Sequence, residues 1–371
     1  MMMFRNGAVP VIVAVMAVSS VYAQEKQAAV EKKPAIKTQI YGQLHGSVDQ
    51  LDDGEESKTF LSSNSSRVGF KGDVDVEPSI GLKAIWQAEA GISLDEKESS
   101  HYFTSRNTFI GLDSNAGRIL FGRHDTPFKD LGRKADMFGD QIGDSRNIIM
   151  PGGYKWDLRP DNSIRYTTPK CPYGFSATVQ YCTPDELDNS DIVSGNVLWS
   201  KTLESKDEVL VGVAYEKHGK WLTGADTNRD SKVDVASETE ESGVRVVASY
   251  KIAAIGLKAS ALYEKLYDVN GVDGSDSDIY GGGLSYTIKK ETLKAQYYTR
   301  DDSGDNAGGS MVSVGVDHAF NENVLVYVAY SAISNESKSK YTMSGDGHGD
   351  IVTPAVGNDP SGVSLGMIYK F

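Results

Sequence analysis

The stretch VSLGMIYKF, residues 363–371, decides the fold class of this chain. Each odd-numbered position carries an apolar or aromatic side chain, and Ser364, Gly366 and Lys370 lie between them. A repeat of two residues is typical of a β-strand, because successive side chains of a strand point to opposite faces of the sheet. We therefore expect a strand with one apolar face at the carboxyl end of the chain.

The same alternation recurs many times toward the amino terminus. It is clearest in residues 175–182, 209–215, 244–251 and 257–264, where the apolar face often ends in an aromatic residue. These segments are about ten residues long, which suits a tilted transmembrane strand better than the roughly five- to six-residue strands of soluble sheets. Aromatic residues at strand ends are typical of the membrane interface. The pattern predicts a sheet embedded in a membrane.

Tight turns and long polar segments alternate between the strands. The long segments are residues 50–65, 93–103, 124–161, 183–191, 217–242, 266–278, 301–310 and 334–361. The strands are expected to start near Thr38, Arg67, Ile80, Thr104, Ala116, Asn162, Tyr173, Ile192, Glu208, Gly243, Ile255, Ile279, Glu291, Met311, Glu322 and Gly362. Sixteen is an even number, as a bacterial single-chain barrel requires, and so wide a barrel encloses water. We predict an all-β, sixteen-stranded antiparallel transmembrane barrel.

Composition excludes several functional classes. The 371 residues carry 38 basic and 51 acidic side chains, and the net charge of −13 argues against a nucleic-acid partner. The six histidines show no metal-ligand spacing, and no nucleophile-elbow or phosphate-loop motif is present, so we expect no enzymatic activity. Cys171 and Cys182 lie at opposite ends of a predicted strand, and we expect two free thiols.

The amino terminus has the pattern of a cleaved signal peptide. Arg5 supplies a positive charge, residues 7–18 are uncharged and mostly apolar, and Val21-Tyr-Ala23 fits the small-x-small cleavage rule. We expect residues 1–23 to be removed on export. Residues 24–37 would then form a short solvated extension, and residues 38–371 the barrel.

The mature chain resembles the trimeric sixteen-stranded general porins of Gram-negative outer membranes. Residues 66–72 (SRVGFKG), 106–112 (RNTFIGL) and 161–166 (DNSIRY) resemble blocks of that family, in the same order. Terminal Phe371, with Tyr369 and Met367 at alternate positions, is similar to the signal read by the barrel-assembly machinery. The resemblance implies a homotrimer in the outer membrane, in contact with lipid and lipopolysaccharide, that passes small hydrophilic solutes and ions by passive diffusion.

The third long segment, residues 124–161, is the longest and carries many apolar residues that need somewhere to pack. The resemblance implies that it folds into the lumen as a constriction. Its candidate acidic residues are Asp130, Asp136, Asp140 and Asp144. The candidate basic wall facing them is Arg67, Lys71, Arg106, Arg159 and Arg165. Opposed rows of charge would set a transverse field and ion selectivity; alternatively, these arginines only brace the loop.

A weaker candidate site lies in the segment 217–242. Asp226, Asn228, Asp230 and Asp234 have the spacing of calcium ligands, although Ser231 stands where a calcium loop has glycine. The simpler interpretation is a solvated acidic loop, so no resident cofactor is otherwise expected.

The acidic outer loops suggest a weak preference of the pore for cations, although this preference depends on the charges at the constriction and not on the total charge. Alternative functions are a substrate-selective porin of the same architecture and a plugged structural or adhesive barrel.

Overall fold

The computed structural model describes residues 37–95, 103–150, 156–183, 191–219, 222–223, 235–236, 240–304, 306–343 and 347–371. All of these lie in one compact unit, Ile36–Phe371. The expected signal peptide, residues 1–23, and the candidate calcium ligands Asp226, Asn228, Asp230 and Asp234 lie outside the described residues, so both expectations stay predictions.

Sixteen wall strands alternate in direction around the described unit, and two of them are interrupted. They are β1 (Lys37–Asp52), β2 (Ser57–Ser63 and Arg67–Glu77), β3 (Leu82–Ile92), β4 (Phe103–Ser105 and Thr108–Ser114), β5 (Gly117–Arg123), β6 (Ser163–Thr167), β7 (Phe175–Cys182), β8 (Ile192–Thr202), β9 (Glu208–His218), β10 (Glu241–Ile252), β11 (Leu257–Tyr267), β12 (Ser277–Ile288), β13 (Glu291–Asp302), β14 (Gly309–Ala319), β15 (Val324–Asn335) and β16 (Ser361–Lys370). Leu222–Thr223 and Val235–Ala236 form a separate two-stranded ribbon in the outer segment between β9 and β10.

The sheet closes on itself. Each strand pairs antiparallel with the next, and Gln43–Asp52 of β1 pairs with Ser361–Lys370 of β16. The Gly42 N–H donates to the Phe371 carbonyl at 2.9 Å, which extends the seam to the last residue. Closure removes the unpaired strand edges that a bilayer could not satisfy. The predicted all-β, sixteen-stranded barrel is confirmed.

The predicted strand starts lie within two residues of the observed ones for all strands except β2. The prediction that residues 50–65 form a long outer segment is wrong. Strand β1 continues to Asp52, and the first part of β2 begins at Ser57, so only residues 53–56 connect them. These extensions carry polar residues on both faces, and their period of two is therefore invisible in the sequence.

The two faces of the wall differ as the alternation predicts. In β16, Val363, Leu365 and Met367 are about half exposed on the outside, whereas Ser364 is fully buried inside. A bilayer would cover such an apolar outer face, and water would solvate the polar inner one. Both Cys171 and Cys182 are free thiols, as predicted.

The helices of the described chain are short. They are α1 (Pro127–Gly132), α2 (Arg146–Ile149) and two 3-10 turns, Pro78–Ile80 and Val269–Gly271. None of the described helices has the length and apolar content needed to cross a membrane.

The third long segment folds into the barrel, as the resemblance implied. Helix α1 lies against β8, β9 and β10, and α2 lies against β13 and β14. The apolar side chains of the segment are almost completely buried in this position: Phe128, Leu131, Phe138, Ile142, Ile148, Ile149 and Trp156. Because they find their packing partners on the inner wall, the segment is held as an inward loop that narrows the lumen.

Candidate functional site

Arg245 of β10 anchors the first half of the inward loop. Its Nε atom lies 2.6 Å from Glu264 Oε2 on β11, and its Nη1 atom lies 2.6 Å from Asp157 Oδ1 at the end of the loop. Nη1 also donates to the Phe128 carbonyl at 2.9 Å, and the guanidinium carbon stands 4.0 Å from the centre of the Phe128 ring. All three charged side chains are fully buried, so their charges depend on one another for compensation.

Two polar residues of β13 anchor the second half of the inward loop. Gln296 accepts a hydrogen bond from the Met137 N–H at 2.9 Å and donates to the Gly143 carbonyl. Lys294 donates to the Gln141 side chain at 2.9 Å and lies the same distance from Asp317 on β14. The loop is therefore fixed to two strands of the wall, β10 and β13, by side chains that point inward.

The free edge of the loop faces arginines of the wall, and together they form a cluster of ion pairs inside the barrel. The ion pairs are Arg106 Nε–Glu89 Oε1 (2.8 Å), Arg159 Nη2–Asp125 Oδ1 (3.0 Å), Lys129 Nζ–Asp125 Oδ1 (3.3 Å) and Arg165 Nη2–Asp130 Oδ2 (2.6 Å). The Arg106–Glu89 pair lies within the wall, whereas the other three pairs hold residues of the loop. The same residues therefore brace the loop and line the passage.

Asp140 occupies the centre of this region. Arg146 donates to one of its oxygens at 2.9 Å, while Arg133 lies 3.5 Å and Arg67 lies 4.0 Å from the other. The facing guanidinium groups hold the pKa of Asp140 below its usual value despite burial. Asp140 is therefore a charged carboxylate held by three arginines, two from its own loop and one from β2.

The remaining candidates from the sequence, Asp144, Asp136 and Lys71, differ in their surroundings. Asp144 is fully buried, where it pairs with Arg146 at 2.6 Å and accepts the Asp140 N–H at 2.7 Å. Asp136 is half-buried on the wall side of the loop, and burial, reinforced by the charge of Asp144, raises its pKa to about 7. Lys71 is exposed, with its ammonium group 4.9 Å from the centre of the Tyr41 ring, and none of its described contacts involves the loop.

Several members of the site were not predicted. Glu89, Asp125, Arg133 and Arg146 all make the contacts described above. Glu89 could have been found, because it shares the inward side of β3 with Gln87 by parity. The loop residues carried no comparable signal, since a loop has no repeat that assigns its side chains to a face.

We use the term neck cluster for the twelve charged side chains gathered here. The cations are Arg67, Arg106, Lys129, Arg133, Arg146, Arg159 and Arg165, and the carboxylates are Glu89, Asp125, Asp130, Asp140 and Asp144. Cations outnumber carboxylates by seven to five. The most exposed side chains of the cluster are those of Arg133 (36%), Asp130 (31%) and Arg67 (24%). Lys129 and Arg146 expose only 3% and 5% of their side chains.

A second segment reaches the neck from residues 334–361, which the sequence indicated only as long and polar. His348 Nε2 lies 3.1 Å from Asp49 Oδ2 inside the wall, and the Gly349 N–H donates to Asn64 at 2.8 Å. A Cβ atom at Gly347 would lie 2.2 Å from an Asp140 oxygen and 2.5 Å from Arg146 Nη2, so a larger residue would have to displace these two side chains. The outer approach to Asp140 is therefore bounded by two inward segments.

Comparisons with known proteins agree on one protein family. A family model described as Gram-negative porin matches residues 11–338. The major outer membrane protein P.IB of Neisseria sicca is 25% identical over 321 residues, which cover 78% of this chain and 87% of that protein.

Solved structures share the fold. An anion-selective porin from Comamonas acidovorans superposes with a TM-score of 0.74 at 21% identity, covering 91% of this chain and all of that one. The trimer form of OmpT, an outer membrane protein of Vibrio cholerae, superposes with a TM-score of 0.66 at 20% identity and the same coverage.

Proposed function

We propose that this chain, which belongs to the Gram-negative porin family and is an outer-membrane channel for passive diffusion, passes small anions more readily than small cations. The observation that carries the proposal is the composition of the neck cluster, in which seven cations stand against five carboxylates and Arg133 is the most exposed member. Fixed charges at a constriction set ion preference, because a permeating ion passes them with little intervening water.

The proposal differs from the weak cation preference suggested by the acidic outer loops. At physiological ionic strength, screening weakens the influence of exposed charges beyond about 8 Å. The net charge of −13 belongs to the whole chain, whereas a permeating ion in the neck responds to the nearest side chains. We therefore give the neck more weight than the outer loops.

Planar-bilayer recording in a KCl gradient tests the proposal. We expect ohmic steps and a reversal potential of the sign that chloride preference produces. A potential of the opposite sign would contradict the anion preference. Currents that saturate with one solute would favour a substrate-selective porin, and a silent protein would favour a plugged barrel. Steps in groups of three equal increments would support a homotrimer.

The anion preference should weaken as the pH rises. Because the pKa of Asp136 is raised to about 7, its carboxyl group is mostly neutral near pH 6 and mostly charged near pH 8. The added negative charge lies within the loop that carries the neck, so the reversal potential should move toward zero. The variant Asp136→Asn should show no such change. Burial and the charge of Arg165 lower the pKa of His124, so His124 loses its proton at a lower pH than Asp136.

The proposed function also includes the assembly of the channel, its surroundings in the membrane and the absence of catalysis. We propose a homotrimer embedded among outer-membrane lipid and lipopolysaccharide, assembled through recognition of Met367, Tyr369 and Phe371 by the barrel-assembly machinery. These three side chains point outward, where a partner could contact them. We also propose that the barrel has no catalytic activity, since the charged groups at its neck are engaged in fixing the loop and lining the passage.

A further inference from the structure

A basic cavity of about 600 Å³ lies below the inward loop, at the end of the barrel where the turns are short. Its walls come from the loop, the turn between β6 and β7, and the ends of β8 to β12. Six cations line it: Arg133, Lys134, Lys170, Lys201, Lys251 and Lys258. Glu208 is the one carboxylate in the described lining.

Most of this positive charge is not neutralised locally. Lys251 pairs with Glu208 at 2.7 Å, and Arg133 lies 3.5 Å from Asp140. Within the described residues, no carboxylate comes within 4 Å of Lys134, Lys170 or Lys258, and the Lys258 ammonium group donates to the Lys134 carbonyl at 3.4 Å. Ammonium groups that lack a carboxylate partner attract anions.

The opposite wall at the same end of the barrel is different. There Lys83 lies 3.7 Å from Asp73 and 3.9 Å from Asp75, so the charge is balanced within a few ångströms. The excess of basic side chains coincides with the cavity and is not shared by this part of the rim.

The lining also supplies hydroxyl groups from Ser200, Ser249 and Thr287. Lysine side chains are flexible point charges that accept many geometries, and hydroxyl groups donate to oxygen atoms. The volume is that of a small-molecule site. We propose that this cavity binds small multivalent oxyanions on the periplasmic side of the neck. Monovalent anions would be held less strongly, because they engage fewer of the ammonium groups at once.

The inference rests on the proposed function, since the site would receive anions that pass the neck cluster. A basic wall beyond the constriction raises the local anion concentration and retains multivalent anions longer than chloride. The channel would then conduct small anions freely and be partly blocked by a multivalent oxyanion bound in the cavity.

Inorganic pyrophosphate, added to the short-turn side of the channel in a bilayer, tests the site. We expect saturable block of the chloride current by the unmodified protein. Removing two charges in Lys251→Gln/Lys258→Gln should raise the half-blocking concentration by at least about tenfold. The control Lys206→Gln/Lys289→Gln removes two exposed lysines from turns at the same rim and should be blocked like the unmodified protein.

The outcomes separate the two proposals. If the channel conducts KCl but pyrophosphate does not block it, the binding site is wrong while the diffusion channel stands. Block that is equally strong in Lys251→Gln/Lys258→Gln would also overturn the site. If the control variant loses the block as well, the effect belongs to the whole rim and not to the cavity. Absence of KCl conductance in the unmodified protein would contradict the proposed channel itself.

Discussion

Replacing Arg245 with methionine is expected to release the first half of the inward loop and to lower the free energy of unfolding by about 3–5 kcal/mol. The substitution removes the cation from between Asp157 and Glu264, which lie 2.6 Å from it and are fully buried. Two buried carboxylates would then lose their nearest counter-charge. Methionine preserves much of the packing against Phe128, so the loss of charge dominates the effect.

Thermal unfolding and single-channel conductance together measure this effect. The midpoint temperature should fall, and the conductance should rise or become noisy because the loop no longer narrows the lumen. Arg118→Met is a matched control, since it breaks an ion pair of 2.8 Å with Asp113 that is exposed to water. Exposed pairs contribute little to stability, so this variant should differ only slightly from the unmodified protein. Equal midpoints and conductances for both variants would show that Arg245 does not hold the loop.

Removing Arg67 and Arg133, the two most exposed arginines of the neck cluster, should abolish the anion preference. The variant Arg67→Gln/Arg133→Gln leaves five cations facing five carboxylates. Asp140 keeps its 2.9 Å contact with Arg146, so the loop should remain folded. Glutamine retains hydrogen-bonding capacity without charge, and we expect the reversal potential in a KCl gradient to fall close to zero.

A third substitution in the neck cluster should reverse the sign of the reversal potential. Adding Arg106→Gln leaves Glu89 without its 2.8 Å partner and gives the carboxylates the majority. We expect the triple variant to prefer cations. Lys58→Gln removes a charge from the exposed outer end of β2, where Lys58 lies 3.6 Å from Glu56, and should leave the reversal potential unchanged. A triple variant that still prefers chloride would place the selectivity outside the neck cluster.

The two inward segments meet at Asp140, which gives this residue two roles. It carries charge in the neck, and its oxygen atoms lie against Gly347 of the segment between β15 and β16. A side chain at Gly347 would collide with Asp140 or with Arg146. The width of the passage therefore depends on the contact between these segments as well as on the loop after β5.

The wall of the barrel was predictable because a strand in a bilayer has one lipid-facing side. Lipid requires apolar side chains at every second position, and this requirement is local enough to be visible in residues such as 363–371. The exception at residues 50–65 has the same cause, since the ends of β1 and β2 extend beyond the apolar band and lose the alternation. The length and apolar content of residues 124–161 indicated a packed loop, but they did not indicate its path inside the barrel.

The neck is where sequence reasoning had the least information. Parity assigns Arg67 and Arg106 to the inside of the wall, but it does not say which carboxylates they face. The sequence determined by itself that the chain forms a hollow barrel with arginines inside, because period and polarity follow from lipid on one side and water on the other. The tertiary structure alone decided that Asp144 is buried and that Arg133 is exposed. These positions result from packing between residues far apart in the chain, and no local pattern of the sequence records such contacts.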